Sequence, residues 1–310
     1  MQRSVLKLLC GVGSASVKDI CYYTGASARC VSRLQSLGYV ELGEKTVLRC
    51  REIPKTPVQK PLVLNREQEK AFAGLSQQAQ DDAPGVALLY GVTGSGKTSV
   101  YIRLIEDTLA RGRSAILMVP EIALTPQLLG LMSAWFDDQV AVLHSSLSAG
   151  ERYDQWKRVR AGQARVIVGT RSAVFAPCEN LGLVILDEEQ EQSYKSENAP
   201  RYAAREVAMW RGVKEGALVV LGSATPSVES MYHARRGDYT LYTLQNRYNG
   251  RPLPEVTVVD MREELKLGND GTLSYPLRQA IHDTLRDGKQ VILLLNRRGN
   301  ARALVCVDCR

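Results

Sequence analysis

The chain has 310 residues, 45% of them apolar and 24% charged, the balance of a folded globular protein rather than a disordered one. No apolar run is long enough to span a bilayer and the first residues carry no cleavable leader pattern, so we expect no membrane association and a cytoplasmic location. Seven irregularly spaced cysteines exclude a disulfide framework, and a net charge of +7 suits an anionic polymer as partner without requiring one.

Residues 1–50 read as a winged-helix domain. Short apolar helices are expected over 4–10 and 16–23, the second capped by Ser14 or Ser16, and a third starts at Ser27 with Val31, Leu34 and Leu37 on one face. Gly38 ends it, and 39–42 and 46–50 are expected to form a hairpin. In that plan the third helix either enters a major groove or packs on protein, with Arg29, Ser32, Arg33 and Gln35 outward. Residues 51–63, rich in proline, are an extended linker. Cys10, Cys21, Cys30 and Cys178 lie in apolar patterns and are expected to be small core residues.

From 64 to 250 the pattern changes. Apolar runs at 86–90, 115–120, 140–144, 166–169, 183–186 and 218–222 alternate with amphipathic stretches at 65–75, 99–110, 125–136, 151–161 and 203–214. Strands this apolar, separated by helices, predict an α/β fold with a mostly parallel sheet covered on both faces. Ligands then belong at the C-terminal strand ends.

The first of those ends carries Gly91-Val-Thr-Gly94-Ser-Gly96-Lys97-Thr98, a full match to the phosphate-loop pattern between a strand and a helix. Its glycines let backbone N–H groups converge on an anion, and the following helix directs its positive end to the same point. Gly91, Thr93, Gly94, Ser95 and Gly96 would line the nucleotide, Lys97 would reach the β- and γ-phosphates, and Thr98 would hold Mg²⁺. Asp187 and Glu188 follow another buried run. We expect Asp187 on the metal and Glu188 as the base that activates water. Ser223 and Thr225 end a later run, where hydroxyls either bond the acidic pair or simply form a turn capped by Ser227. Gln68 either reads adenine through its amide or is an ordinary helical residue.

Gly91–Thr98, Val119-Pro-Glu-Ile-Ala-Leu-Thr-Pro-Gln127, Gly169-Thr-Arg-Ser-Ala173, Asp187-Glu188-Glu189-Gln190 and Gly222-Ser-Ala-Thr225 resemble, in order, the motifs of the first lobe of superfamily 2 helicases. Ser193-Tyr-Lys-Ser-Glu197, Pro200-Arg-Tyr202 and Leu294-Leu-Asn-Arg-Arg-Gly299 are similar to the bacterial replication-restart helicases, the primosomal protein N′ family. The resemblance implies a P-loop NTPase lobe of RecA-like fold and an ATP-dependent 3′→5′ DNA helicase acting at stalled forks. It implies ATP and Mg²⁺ as cofactors, and fork and single-stranded DNA as substrate. Primosome proteins and single-stranded DNA-binding protein are the partners it implies. It assigns Gln68 to adenine, Gln190 to the nucleotide, and Ser223 and Thr225 to coupling. Thr125 and Arg171 go to DNA phosphates, and Tyr194, Lys195, Arg201 and Tyr202 to a DNA-sensing loop. Other superfamily 2 repair or restriction helicases, and a non-catalytic DNA-binding fragment, are the competing readings.

Three departures from that family stand out. Gln190 replaces a common His, which removes a charge switch but keeps hydrogen bonding. The chain starts at the winged helix, without the family's N-terminal DNA-binding domain, and 251–275 is an inter-lobe connection leading to only the start of a second lobe at 276–310, with a strand over 291–296. A lobe that supplies arginine fingers is then incomplete, so weak hydrolysis is expected. Cys306 and Cys309 are half of a zinc set, and two thiolates hold Zn²⁺ poorly.

Overall fold

A computed structural model describes residues 1–13, 15–43, 57, 62–248, 250, 254–269 and 271–294. It divides into two compact units, Met1–Arg251 and Pro252–Arg310.

Three short helices open the first unit: α1 (Gln2–Val12), α2 (Val17–Thr24) and α3 (Ala28–Ser36). Val5, Ile20, Ala26, Val31 and Leu34 form their common core. Ser16 caps α2 by accepting from the Asp19 N–H at 3.1 Å, and Gly25 ends it at φ 65°, a left-handed conformation. Arg29, Ser32, Arg33 and Gln35 point outward and are exposed. Two expectations fail here. Leu37 lies past the last turn of α3 and is exposed, and Cys10 is exposed on α1 rather than packed. Among the described residues, 39–43 carry no strand. The other arm, 46–50, and most of the expected linker lie outside those residues.

The rest of the unit is one layered α/β body. In chain order it runs α4 (Arg66–Gln78), β1 (Val86–Gly91), α5 (Lys97–Ala110), β2 (Ser114–Met118), α6 (Pro126–Phe136), β3 (Val140–Leu143) and α7 (Ala149–Arg160). It continues with β4 (Val166–Gly169), β5 (Leu181–Asp187), α8 (Ala204–Glu215), β6 (Leu218–Ser223), α9 (Val228–Arg236) and β7 (Thr240–Leu244). The sheet order is β3-β4-β2-β5-β6-β1-β7 and every pair is parallel. Alternation along the strands divides the core. Leu89, Leu117, Val168 and Val220 face α4, α5 and α6, while Leu88, Ile116, Ile167 and Leu221 face α7, α8 and α9. Both faces being covered explains why the strands read as continuous apolar runs. Strand β7 escapes that reading because it is an edge strand with Thr240, Leu241 and Thr243 exposed, so it forms no continuous apolar run.

In the second unit α10 (Met261–Lys266) and α11 (Tyr275–Arg286) are tied at one corner. The buried Glu264 carboxylate accepts from the Tyr275 N–H at 2.6 Å and from Asn269 Nδ2 at 2.7 Å. The strand expected from 291 is absent over 291–294, where Ile292 and Leu294 are exposed and no neighbouring strand is described. Residues 295 and 296 lie outside the described set.

Candidate active site

Strand β1 delivers the chain at Gly91 into a turn that becomes α5 at Lys97. Gly94 and Gly96 sit at φ 79° and 80°, where a side chain would strain the backbone. No side chain caps the N-terminus of α5, so its positive end stays open to an anion. A Cβ on Gly91 would stand 2.6 Å from Ser95 Oγ and 3.2 Å from Leu244 Cβ, so a larger residue there would make the turn shift. Ser95 Oγ itself is buried without a hydrogen-bond partner. An orphaned hydroxyl, left-handed glycines and an uncapped helix end together fit a polyphosphate. Lys97 Nζ donates to the Gly91 carbonyl at 3.0 Å, which folds the ammonium over the turn.

Gln68 braces this turn from below. It is fully buried; its Oε1 accepts from the Asn65 N–H at 2.9 Å, and its Nε2 donates to the Ser95 carbonyl at 2.9 Å. In this arrangement the amide is committed to the phosphate turn, and reading adenine would require it to leave those bonds. Its neighbour Glu67 accepts from the Gln245 and Asn246 N–H groups at 3.0 and 3.1 Å. The Tyr248 N–H then donates to the Gly94 carbonyl at 2.9 Å. One helical turn of α4 thus holds both the phosphate turn and the segment that leaves β7.

The acidic pair meets the turn at the same sheet edge. Asp187 at the end of β5 is in register with Gly222 on β6, and Ser223 is in register with Tyr90 on β1. From α5, Tyr101 donates its hydroxyl to Asp187 Oδ1 at 2.8 Å. Burial pushes the Asp187 carboxyl above the usual carboxylate range; the Tyr101 hydrogen bond opposes this, Glu188 adds to it and the Lys97 ammonium opposes it. Glu188 has φ 48°, the left-handed strain that concentrates at reacting sites. Gln190 links the pair to the next strand: its Nε2 donates to Glu188 Oε2 at 2.9 Å, and its Oε1 accepts from Ser223 Oγ at 2.6 Å. Ser223 Oγ accepts in turn from the Thr225 N–H at 2.8 Å. Ser223 therefore reaches the acidic pair only through Gln190, and the turn that follows leads to α9, which Ser227 caps by accepting from the Ser230 N–H at 3.2 Å.

Sequence reasoning passed over Glu189, although its side chain is wholly buried. Its carboxylate accepts from the Ser227 N–H at 2.7 Å, from Ser230 Oγ at 3.0 Å and from Arg205 Nη1 at 3.2 Å. It thereby pins the start of α9 to the end of β5. A third consecutive acid behind an apolar strand was the available signal, since a carboxylate that close to a core needs partners.

The other half of the edge, behind β2, β4 and β5, carries the expected nucleic-acid residues. Thr125 caps α6, its hydroxyl accepting from the Leu128 N–H at 3.3 Å. Arg171 opens the 3₁₀ turn Arg171–Phe175 and donates to the Lys195 carbonyl at 2.9 Å. Lys195 and Arg201 are exposed in a loop closed by the Lys195–Ala203 bridge. Tyr194 corrects the sequence reading. It is 3% exposed, and its hydroxyl donates to the carbonyls of Asp187 and Met118 at 2.6 and 3.0 Å, so it ties β5 to β2 and presents no face to a base. The aromatic pair on this loop is instead Tyr202 with Phe175, edge-on at 4.9 Å between centroids, with Phe175 54% exposed. Phe175 was missed because it reads as one more apolar residue after the β4 motif.

No group of three or more metal-ligating side chains exists among the described residues, and Cys306 and Cys309 lie outside them. Cys178 packs against the core of the α7–α9 face, and burial pushes its thiol up to about 11.

Residues 65–233 match the DEAD/DEAH box helicase family. The chain is 44% identical over 295 residues to the Replication restart protein PriA of Bacillus subtilis, covering 94% of this chain and 36% of the relative. Against the protein of that name from Synechocystis it is 40% identical over 303 residues, covering 96% of this chain and 36% of the relative. It thus spans little more than a third of these relatives' length. A solved structure of RecG bound to a three-way DNA junction shares the fold, with a TM-score of 0.52 at 24% identity over 76% of this chain and 31% of that one.

Proposed function

Because this chain belongs to the DEAD/DEAH box helicase family, we propose that it carries the nucleotide-binding lobe of an ATP-dependent 3′→5′ DNA helicase of replication restart. The observation that carries the reading is the meeting of two distant motifs: α5, which begins at Lys97, reaches Asp187 through the 2.8 Å Tyr101 bond. In this reading Lys97 and the N–H groups of 91–98 hold the phosphates. Thr98 and Asp187 would hold Mg²⁺, which would supply positive charge to the triphosphate. Glu188, oriented by the Gln190 amide, accepts the proton of the attacking water. Gln190, Ser223 and Thr225 relay the state of that site along β6, and Gln68 sets the shape of the phosphate turn.

The β2–β4 half of the edge takes single-stranded DNA. Thr125 and Arg171 lie toward backbone phosphates, and Lys195, Arg201, Tyr202 and Phe175 form a loop and platform for the unpaired strand. Fork recognition and dealings with primosome proteins and single-stranded DNA-binding protein belong to the whole protein, in the cytoplasm. Full hydrolysis depends on arginine fingers from a second lobe, and Zn²⁺ on thiols added to Cys306 and Cys309.

Lys97→Ala tests the reading. A fluorescent ATP analogue should lose at least about tenfold in affinity for the variant, while its affinity for a single-stranded oligonucleotide stays within about twofold. Equal nucleotide binding by variant and wild type would remove the nucleotide site and favour a DNA-binding module.

A further inference from the structure

Tyr101 has no place in the phosphate-loop pattern, yet two neighbouring positions are shaped around its hydroxyl. It sits one turn into α5, three residues after Thr98, and is 1% exposed. Phenylalanine would fill the same volume without bringing a polar atom into the core. Instead the hydroxyl lies 2.8 Å from Asp187 Oδ1. On the adjoining strand, Gly222 leaves open the space that the hydroxyl occupies, since a Cβ there would collide with it. Asp187 is constrained a second time through its main chain, where its carbonyl accepts from Tyr194 at 2.6 Å.

We propose that Tyr101 is a positioning residue for the metal: its hydroxyl fixes the rotation of the Asp187 carboxylate and so sets that group in register with Thr98 on the same helix. The inference rests on the nucleotide reading above. A carboxylate with one oxygen committed to a fixed donor cannot turn about its Cβ–Cγ bond, and the direction of its other oxygen is thereby set. Because Thr98 and Tyr101 are neighbours on one rigid helix, the spacing between the two metal-side groups becomes a property of α5 rather than of a free side chain. Tyr194 contributes to the same end by holding the strand terminus from the opposite side.

The test uses the 310-residue chain and a fluorescent ADP analogue, titrated from chelated, metal-free buffer through millimolar Mg²⁺, for wild type, Tyr101→Phe and Gly222→Ala. Tyr101→Phe should keep its metal-free nucleotide affinity within about twofold but need about tenfold more Mg²⁺ to reach the metal-bound plateau, the loss of one hydrogen bond to a charged group. Gly222→Ala, which displaces the hydroxyl, should move the Mg²⁺ midpoint in the same direction. With Mn²⁺ in place of Mg²⁺, the electron paramagnetic resonance spectrum of the bound ion should broaden in Tyr101→Phe. An unchanged Mg²⁺ midpoint beside normal wild-type binding would overturn the positioning role alone. Loss of metal-free affinity in Tyr101→Phe would also overturn it, by showing a purely structural residue. Absence of nucleotide binding by wild type would overturn the nucleotide reading, and this inference with it.

Discussion

Replacing Glu189 by Ala takes the central acceptor out of the joint between β5 and α9. Four contacts between 2.7 and 3.3 Å disappear. Ser230 Oγ retains a partner in Ser227 Oγ at 3.0 Å, and Arg205, whose side chain is 30% exposed, can turn to water, so neither group is stranded. What is lost outright is the 2.7 Å bond from the Ser227 N–H to a charged acceptor, about 1.5–3 kcal/mol, together with burial of one methylene, Cγ, at about 0.8 kcal/mol. Glu189→Ala should therefore cost about 2–4 kcal/mol, and Glu189→Gln, which keeps both methylenes and one acceptor, about 1–2 kcal/mol. Urea unfolding followed by tryptophan fluorescence reports on this body alone, because all three tryptophans (Trp135, Trp156 and Trp210) lie in it. A Glu189→Ala loss below about 1 kcal/mol, or a Gln variant as damaged as the Ala variant, would refute the argument that the carboxylate holds this joint.

Three further outcomes follow from the structure. Phe175→Ala and Tyr202→Ala should each weaken binding to a single-stranded oligonucleotide by about 1 kcal/mol or more in fluorescence polarisation; exposed Phe175→Ala should leave the unfolding midpoint nearly unchanged, and Tyr202→Ala, whose ring packs on the α7–α9 core, should lower it modestly. Tyr194→Ala should do the reverse, losing about 3–5 kcal/mol of stability in denaturant. A Tyr194→Ala protein of normal stability and reduced DNA affinity would restore the stacking role that burial argues against. In alkylation at pH 8.5 read by peptide mapping, Cys178 should label far more slowly than exposed Cys10, since a thiol near 11 is under about 1% thiolate there; raising the pH toward 11 should close the gap.

Much of this molecule is written locally. The phosphate turn is contiguous, its glycines are forced by backbone geometry, and the helix that follows starts within the same motif. Alternation between buried runs and amphipathic stretches likewise predicts a parallel sheet covered on both faces, because strands flanked by helices on each side have no polar face to show. Residues whose role depends on a partner far along the chain were not legible. Tyr101 and Asp187 are 86 positions apart, and Glu189 and Ser230 are 41 apart. Gln68 carries the right chemistry for a base, yet the fold turns its amide into the phosphate turn. Whether a tyrosine is a stacking surface or a structural tie depends on which strand ends lie beside it. Tyr194 and Tyr202 occupy one loop with similar neighbours in sequence, and only the proximity of β2 and β5 buries the first while the turn after β4 gives the second an exposed ring to pair with. Sequence by itself determined the chemistry on offer and the layered architecture, since both follow from short-range patterns. Which side chains meet, and which of them remain open to a ligand, was decided by strand order alone, because contact across a sheet depends on neighbours that the linear order of residues does not contain.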